Sequence, residues 1–121
     1  MRDFRKLEIW KRSHKAVLHL YGVTKDFPTE EKYGITNQIR RAGVSIPSNI
    51  AEGCGHESKK EFARYLQMAA ASTSELQYQL ILAYDLGYLQ EDQYAELASI
   101  IGDLKKMIFV YTKRIRADSI Q

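Results

Sequence analysis

Residues 38–61, QIRRAGVSIPSNIAEGCGHESKKE, hold most of the side chains able to do chemistry or recognition. Cys54 is the only cysteine; His56 lies two residues on, between Glu52 and Glu57. Two soft ligands without a second pair fall short of a tetrahedral metal set, so no metal site is expected. The adjacent Arg40 and Arg41 offer planar donors suited to carboxylate or phosphate. Arg41, Ser45, Ser48 and Glu52 recur at helical spacing, flanked by Gln38 and Asn49, and line one face. Two readings stay open for that strip. It either faces solvent, with Ser45 and Ser48 serving carbonyls that Pro47 leaves unpaired and an Arg41–Ser45–Glu52 network beside them, or it is a subunit interface. His14 and His19 have no acid–base partner in sequence and read as surface or rim positions. No phosphate loop, nucleophile motif or carboxylate pair is present, so neither an enzyme nor a cofactor is expected.

The chain that positions these residues has 121 amino acids, 45% of them hydrophobic and 27% charged, as for one ordered domain spanning residues 1–121. A single cysteine excludes an internal disulfide and fits a reducing cytoplasm. Charges interrupt the opening MRDFRKLEIWKRSHK where a signal peptide would be apolar. No run reaches the roughly 18 apolar residues of a membrane span, so a cytoplasmic protein with no membrane association is expected. Net charge is +3 with a pI near 9.0, compatible with nucleic acid but insufficient to argue it alone.

Apolar periodicity gives four amphipathic helices. The first runs from Phe4 or Leu7 to Asp26, with one stripe of Leu7, Trp10, Val17 and Tyr21 and another of Ile9, Ala16, Leu20, Val23 and Phe27. Phe27-Pro28 stops it, and Thr29 is expected to cap a second helix over 30–53 with Glu30 and Glu31 in its first turn. That helix buries Ile35, Ile39, Ala42, Ile46 and Ile50 and is expected to continue, bent, through Pro47, with Gly43 absorbing the crowding. Gly53 or Gly55 should end it in the left-handed conformation, and Ser58 with Glu61 should form a capping box. The third helix repeats Phe62, Leu66, Ala69, Thr73, Leu76, Leu80 and Ala83, with small residues from Ala69 to Ser74 admitting a close neighbour. Gly87 ends it. The fourth carries Tyr94, Leu97, Ile101, Leu104, Ile108, Tyr111 and Ile115. Trp10 and most of the eight tyrosines fall at core or seam positions, with Tyr65 and Tyr78 less committed. Long helices joined by short connections make an all-α, antiparallel up-down-up-down four-helix bundle.

That topology sorts the charges. One end gathers Arg2, Arg5, Lys6, Lys59, Lys60, Arg64, Lys113, Arg114 and Arg116 against Asp3, Glu8, Glu52, Glu57, Glu61 and Asp118; the other gathers Asp26, Glu30, Glu31, Asp85, Glu91, Asp92 and Glu96 against Lys25 and Lys32. Helix dipoles account for acids at helix starts and bases at helix ends. They do not account for Arg2, Arg5, Lys6, Lys59 and Lys60, which precede or open helices. An anionic partner such as a phosphate backbone would, with Arg40 and Arg41 as further contacts; a solvated surface is the plain alternative.

The runs QIRRA, VSIPSNIAEG, SKKEF, SEL and LGYL, with Leu7, Trp10, Phe27-Pro28, Glu31 and Tyr33-Gly34, span nearly the whole chain. In them the sequence resembles the bacterial four-helix bundle proteins named after intervening sequences in 23S ribosomal RNA genes. It is also similar to the accessory variability determinant of diversity-generating retroelements. The resemblance implies a four-helix bundle assembling as a homo-oligomer, a ring-shaped pentamer. It also implies an accessory role, with nucleic acid (RNA or DNA) and a reverse transcriptase as partners. It transfers no catalytic residue. The resulting expectation is a non-enzymatic nucleic-acid-binding oligomer. The rival is a structural oligomer whose partner is another protein, met through the helix-two strip and the small-residue face of helix three.

Overall fold

The computed structural model describes residues 2–120. A 3-10 turn at Phe4–Lys6 leads into α1 (Glu8–Thr24), and a second at Thr29–Glu31 precedes α2 (Ile35–Cys54); α3 (Lys59–Asp85) and α4 (Glu91–Ile120) follow. α1 packs on α2 and α4, α2 on α3, and α3 on α4, with no diagonal contact among the described residues. This is the expected antiparallel four-helix bundle. The isoleucines of α2, the α3 repeat from Phe62 to Ala83, and Leu97, Ile101, Leu104 and Ile108 of α4 form one buried core. In α1 the stripe through Ile9, Ala16 and Leu20, continued past the helix end by Phe27, is the core face, except that Val23 is partly buried. Leu7, Trp10 and Val17 are half-buried and Tyr21 is exposed.

Several local expectations are corrected. Thr29 caps nothing: it opens a 3-10 turn behind Pro28, and α2 starts four to five residues later than periodicity suggested. Glu31 reaches forward instead, its carboxylate accepting from the Ile35 amide (3.4 Å) and from the Tyr88 hydroxyl (2.8 Å). As expected, α2 continues through Pro47. Gly43 is there for space, since a Cβ would stand 2.6 Å from Leu20 Cδ1 of α1. Gly55 keeps an ordinary φ of −75°, so α2 ends without a left-handed residue. Gly53 is fully helical and lets α3 approach, because a Cβ there would meet Tyr65 Cβ at 2.8 Å and Phe62 Cδ1 at 2.9 Å. Only half the capping box forms. Ser58 Oγ accepts from the Glu61 amide (3.2 Å), while the Glu61 carboxylate turns to Arg64 Nε (2.9 Å). Gly87 behaves as expected: at φ 83° it lets the Gly87 and Tyr88 amides bond the Tyr84 and Ala83 carbonyls, both at 2.9 Å. None of the eight tyrosines is fully buried, and Tyr33 is 86% exposed, so the tyrosines rim the core and do not fill it.

Candidate nucleic-acid interface

The bundle brings the start of the chain, the α2–α3 connection and the end of α4 together, as the topology required. Arg2 lays its guanidinium 4.3 Å from the Phe62 ring centroid, and Phe62 meets Tyr111 of α4 edge-on at 6.0 Å. Behind this lid lies Cys54, 1% exposed; burial pushes its thiol above the usual range, with Arg2 opposing the shift and Asp3 adding to it. Burial raises the Tyr111 phenol in the same way. Cys54 is therefore a core residue. His56 stacks on Tyr65 (4.9 Å), and no cluster of metal-ligating residues occurs among the described residues.

The nine bases of this end divide by what they already touch. Arg2 covers Phe62. Arg5 Nε and its backbone amide both bond the Asp3 carboxylate at 3.1 Å, which holds that carboxyl below its ordinary range. Arg64 pairs with Glu61 at 2.9 Å, and an Arg116 terminal nitrogen donates to Gln67 Oε1 at 2.7 Å. Lys6, Lys59, Lys60, Lys113 and Arg114 are exposed and carry no ion pair among the described residues; Lys113 only rests over the Phe109 ring at 5.0 Å. Four arginines are thus already engaged, Arg5 and Arg64 within their own segments and Arg2 and Arg116 across segments. Three chain segments supply the five bases that remain. Lys59 and Lys60 open α3, where exposed amides already present partial positive charge.

Arg40 and Arg41 do not join this cluster. They sit in the first half of α2, with Arg41 about 20 Å along the axis from Cys54 at 1.5 Å per residue. Arg40 Nε donates to Thr24 Oγ1 (2.9 Å) and its guanidinium lies over Tyr21 (4.5 Å), so it braces α1 against α2. Arg41 is exposed.

The helix-two strip is likewise divided. Ser45 Oγ shares a hydrogen with Ser72 Oγ of α3 (2.8 Å), and Asn49 Nδ2 donates to the Ser45 carbonyl (2.8 Å) and hydroxyl (3.0 Å). The Arg41–Ser45–Glu52 network does not form among the described residues, and the carbonyl that Asn49 bonds is that of Ser45, not the Gly43 carbonyl that Pro47 leaves without an amide. Gln38, Arg41, Ser48 and Glu52 remain exposed. Of the small-residue stretch in α3, Ala69, Ser72 and Thr73 face inward, so much of it is used inside the bundle. His14 is exposed, stacked on Trp10 at 5.1 Å, and His19 is half-buried at the rim.

No helix among the described residues is long and apolar enough to cross a membrane. Among solved structures, a protein of unknown function from the S23 ribosomal protein family of Bacteroides thetaiotaomicron shares the fold. Its TM-score is 0.81 at 23% identity, covering 87% of this chain and 98% of that one. A search of curated proteins finds no match. The sequence matches the 23S rRNA-intervening sequence protein family over residues 5–110, and the chain belongs to that family.

Proposed function

We propose that this protein is a non-enzymatic, cytoplasmic accessory factor that holds a nucleic-acid backbone against the basic end of its bundle. The observation that carries this reading is the group Lys6, Lys59, Lys60, Lys113 and Arg114, gathered from three segments and without acidic partners among the described residues. Two of these lysines oppose the α3 dipole, so helix stability does not account for them. Such contacts grip phosphates and read no bases, so binding is expected to be weakly sequence-specific. The resemblance to retroelement accessory determinants points the same way and adds two expectations, a homopentamer and a reverse-transcriptase partner. In a ring, each subunit's basic end would multiply the phosphates engaged. A scaffolding oligomer with a protein partner is the second reading. It is favoured by the exposed polar strip of Gln38, Arg41, Ser48 and Glu52.

Fluorescent single- and double-stranded RNA and DNA, titrated over a salt series, test the first reading. Affinity should fall steeply with salt, with a slope that counts phosphates, and should fall again in Lys59→Glu/Lys60→Glu. Unchanged affinity in that variant would sink the phosphate-binding end. Absence of binding even at low salt would leave the protein partner, to be sought by pull-down.

A further inference from the structure

A second surface, away from the basic end, has its own chemistry. Between α1 and the first half of α2 lies a groove of 610 Å³ lined by Tyr21, Lys32, Thr36, Arg41 and Val44 among others, with no acidic residue in its wall. The volume falls in the range of small-ligand sites. Thr36 is the informative residue. It is 7% exposed, and its hydroxyl has no partner in the fold. Every other serine or threonine buried among the described residues (Ser13, Thr24, Ser72, Thr73 and Thr112) donates to a carbonyl three or four residues back. Thr36 does not: α2 begins at Ile35, so the residues three and four back, Tyr33 and Lys32, lie outside the helix. A buried hydroxyl left unpaired costs stability, and the residue that carries it stands in the wall of a cationic groove, its oxygen closed off from solvent. Aromatic rings stand beside it. Tyr33 lines the same groove, its ring 86% exposed, and Tyr21 carries the Arg40 guanidinium across one face. Arg41 and Lys32 are exposed and without ion pairs among the described residues.

Donors for an anion, an unpaired hydroxyl and two tyrosine rings, Tyr33 with Lys32 Nζ 5.5 Å from its centroid and Tyr21 with the Arg40 guanidinium at 4.5 Å, match a phosphate joined to a planar base. We propose that the α1–α2 groove is a nucleotide site, taking a single phosphorylated base. Arg41 and Lys32 would hold the phosphate and Tyr33 the base face, and Thr36 would meet a polar atom of the ligand once its buried hydroxyl turns toward the groove. The same chemistry is offered by a free mononucleotide and by the 5′-phosphorylated end of a strand. The site does not depend on the basic end.

Calorimetric titration of the full chain with 5′-AMP, adenosine and inorganic phosphate tests it. Saturable AMP binding is expected, with adenosine and phosphate each weaker. Arg41→Glu and Thr36→Val should each lower AMP affinity about tenfold, the effect of one charge-assisted hydrogen bond. Arg41 is exposed and Val is close to Thr in shape, so both variants should fold; Thr36→Val without ligand should melt higher than the parent. AMP binding should survive Lys59→Glu/Lys60→Glu, which separates this site from the backbone-binding end. A 5′-phosphorylated trinucleotide that binds more tightly than AMP identifies a strand end as the source, and equal or weaker binding identifies the free nucleotide. Failure of AMP to bind overturns the proposal. So does affinity unchanged in both groove variants, or lost in the lysine reversal.

Discussion

At the acidic end of the bundle the charges and the local structure agree. Glu91 and Asp92 occupy the first turn of α4, where the helix dipole favours them. Gly87 closes α3 with two carbonyls satisfied. The Tyr88 hydroxyl ties the α3–α4 connection to Glu31 in the α1–α2 connection, and Phe27 packs on Tyr88 at 5.5 Å. At the basic end they disagree. The packing is close, with Gly53 against Phe62 and Tyr65 and Arg2 over Phe62, yet lysines open α3 where acids would be more stable. At one end the acids sit where helix dipoles favour them; the other carries charges that folding does not ask for. A site is better sought where a charge opposes its helix than where charge is merely abundant.

Packing at the basic end should dominate the energetics. Phe62 is 0% exposed, and Phe62→Ala should lower unfolding free energy by about 3–5 kcal/mol, read from the urea midpoint at unchanged slope. A loss below about 1 kcal/mol would mean that α3 does not seat there as described. The glycines give a finer contrast. Gly53→Ala must displace Phe62 and Tyr65 and should cost about 1–3 kcal/mol. Gly102→Ala in mid-α4 meets nothing within 4 Å and should stabilise by about 0.4–1 kcal/mol. Equal signs for the two would remove the claim that Gly53 exists for close approach.

The charge contrast has an opposite sign for stability and for binding. Lys59→Glu/Lys60→Glu places acids in the first turn of α3, and each should add about 0.3–1 kcal/mol at low salt. Thermal melts at low and high salt check this. The variant should melt higher at low salt, and the gain should shrink as salt screens it. A variant that melts lower would mean that the lysines have a structural role, and the contrast between the two ends would lose its basis.

Heptad spacing made the bundle legible, because burial selects the same face of every helix whatever the connections do. The core positions of α2, α3 and the middle of α4 could be read off directly. Helix starts were less legible. Periodicity cannot separate a 3-10 turn from the first turn of an α-helix, so α2 seemed to begin near residue 30. That error hid Thr36. In a helix starting at 30 its hydroxyl would have a helical carbonyl behind it, whereas in one starting at Ile35 the residues three and four back lie outside the helix. Glycines were misread for a related reason. Gly43 and Gly53 looked like backbone softness and helix punctuation, but each makes room for a side chain of another helix. The gathering of bases followed from topology alone. Which of them were already occupied did not, because Arg5–Asp3, Arg64–Glu61 and Arg116–Gln67 are rotamer choices.

The smallest effect sharpens the contrast from the acidic side. The Tyr88 phenol is held above its ordinary value chiefly by its hydrogen bond to Glu31, then by desolvation and the neighbouring carboxylates. A phenol whose folded value exceeds its unfolded one contributes stability in full below the unfolded value, near about 10. That contribution fades as pH rises through the raised folded value, where ionised Tyr88 would face Glu31 and Glu30. Wild type should therefore melt above Tyr88→Phe by a constant margin from about pH 6 to pH 9, and the margin should close at higher pH. The same comparison made with Arg2→Gln at the basic end should show no such closure, because the Arg2 guanidinium lies over the Phe62 ring and not on a hydroxyl. A Tyr88 margin that stays constant into the alkaline range would mean that the hydroxyl–carboxylate bond does not tie the two connections together. The acidic end would then rest on Gly87 and Phe27 alone.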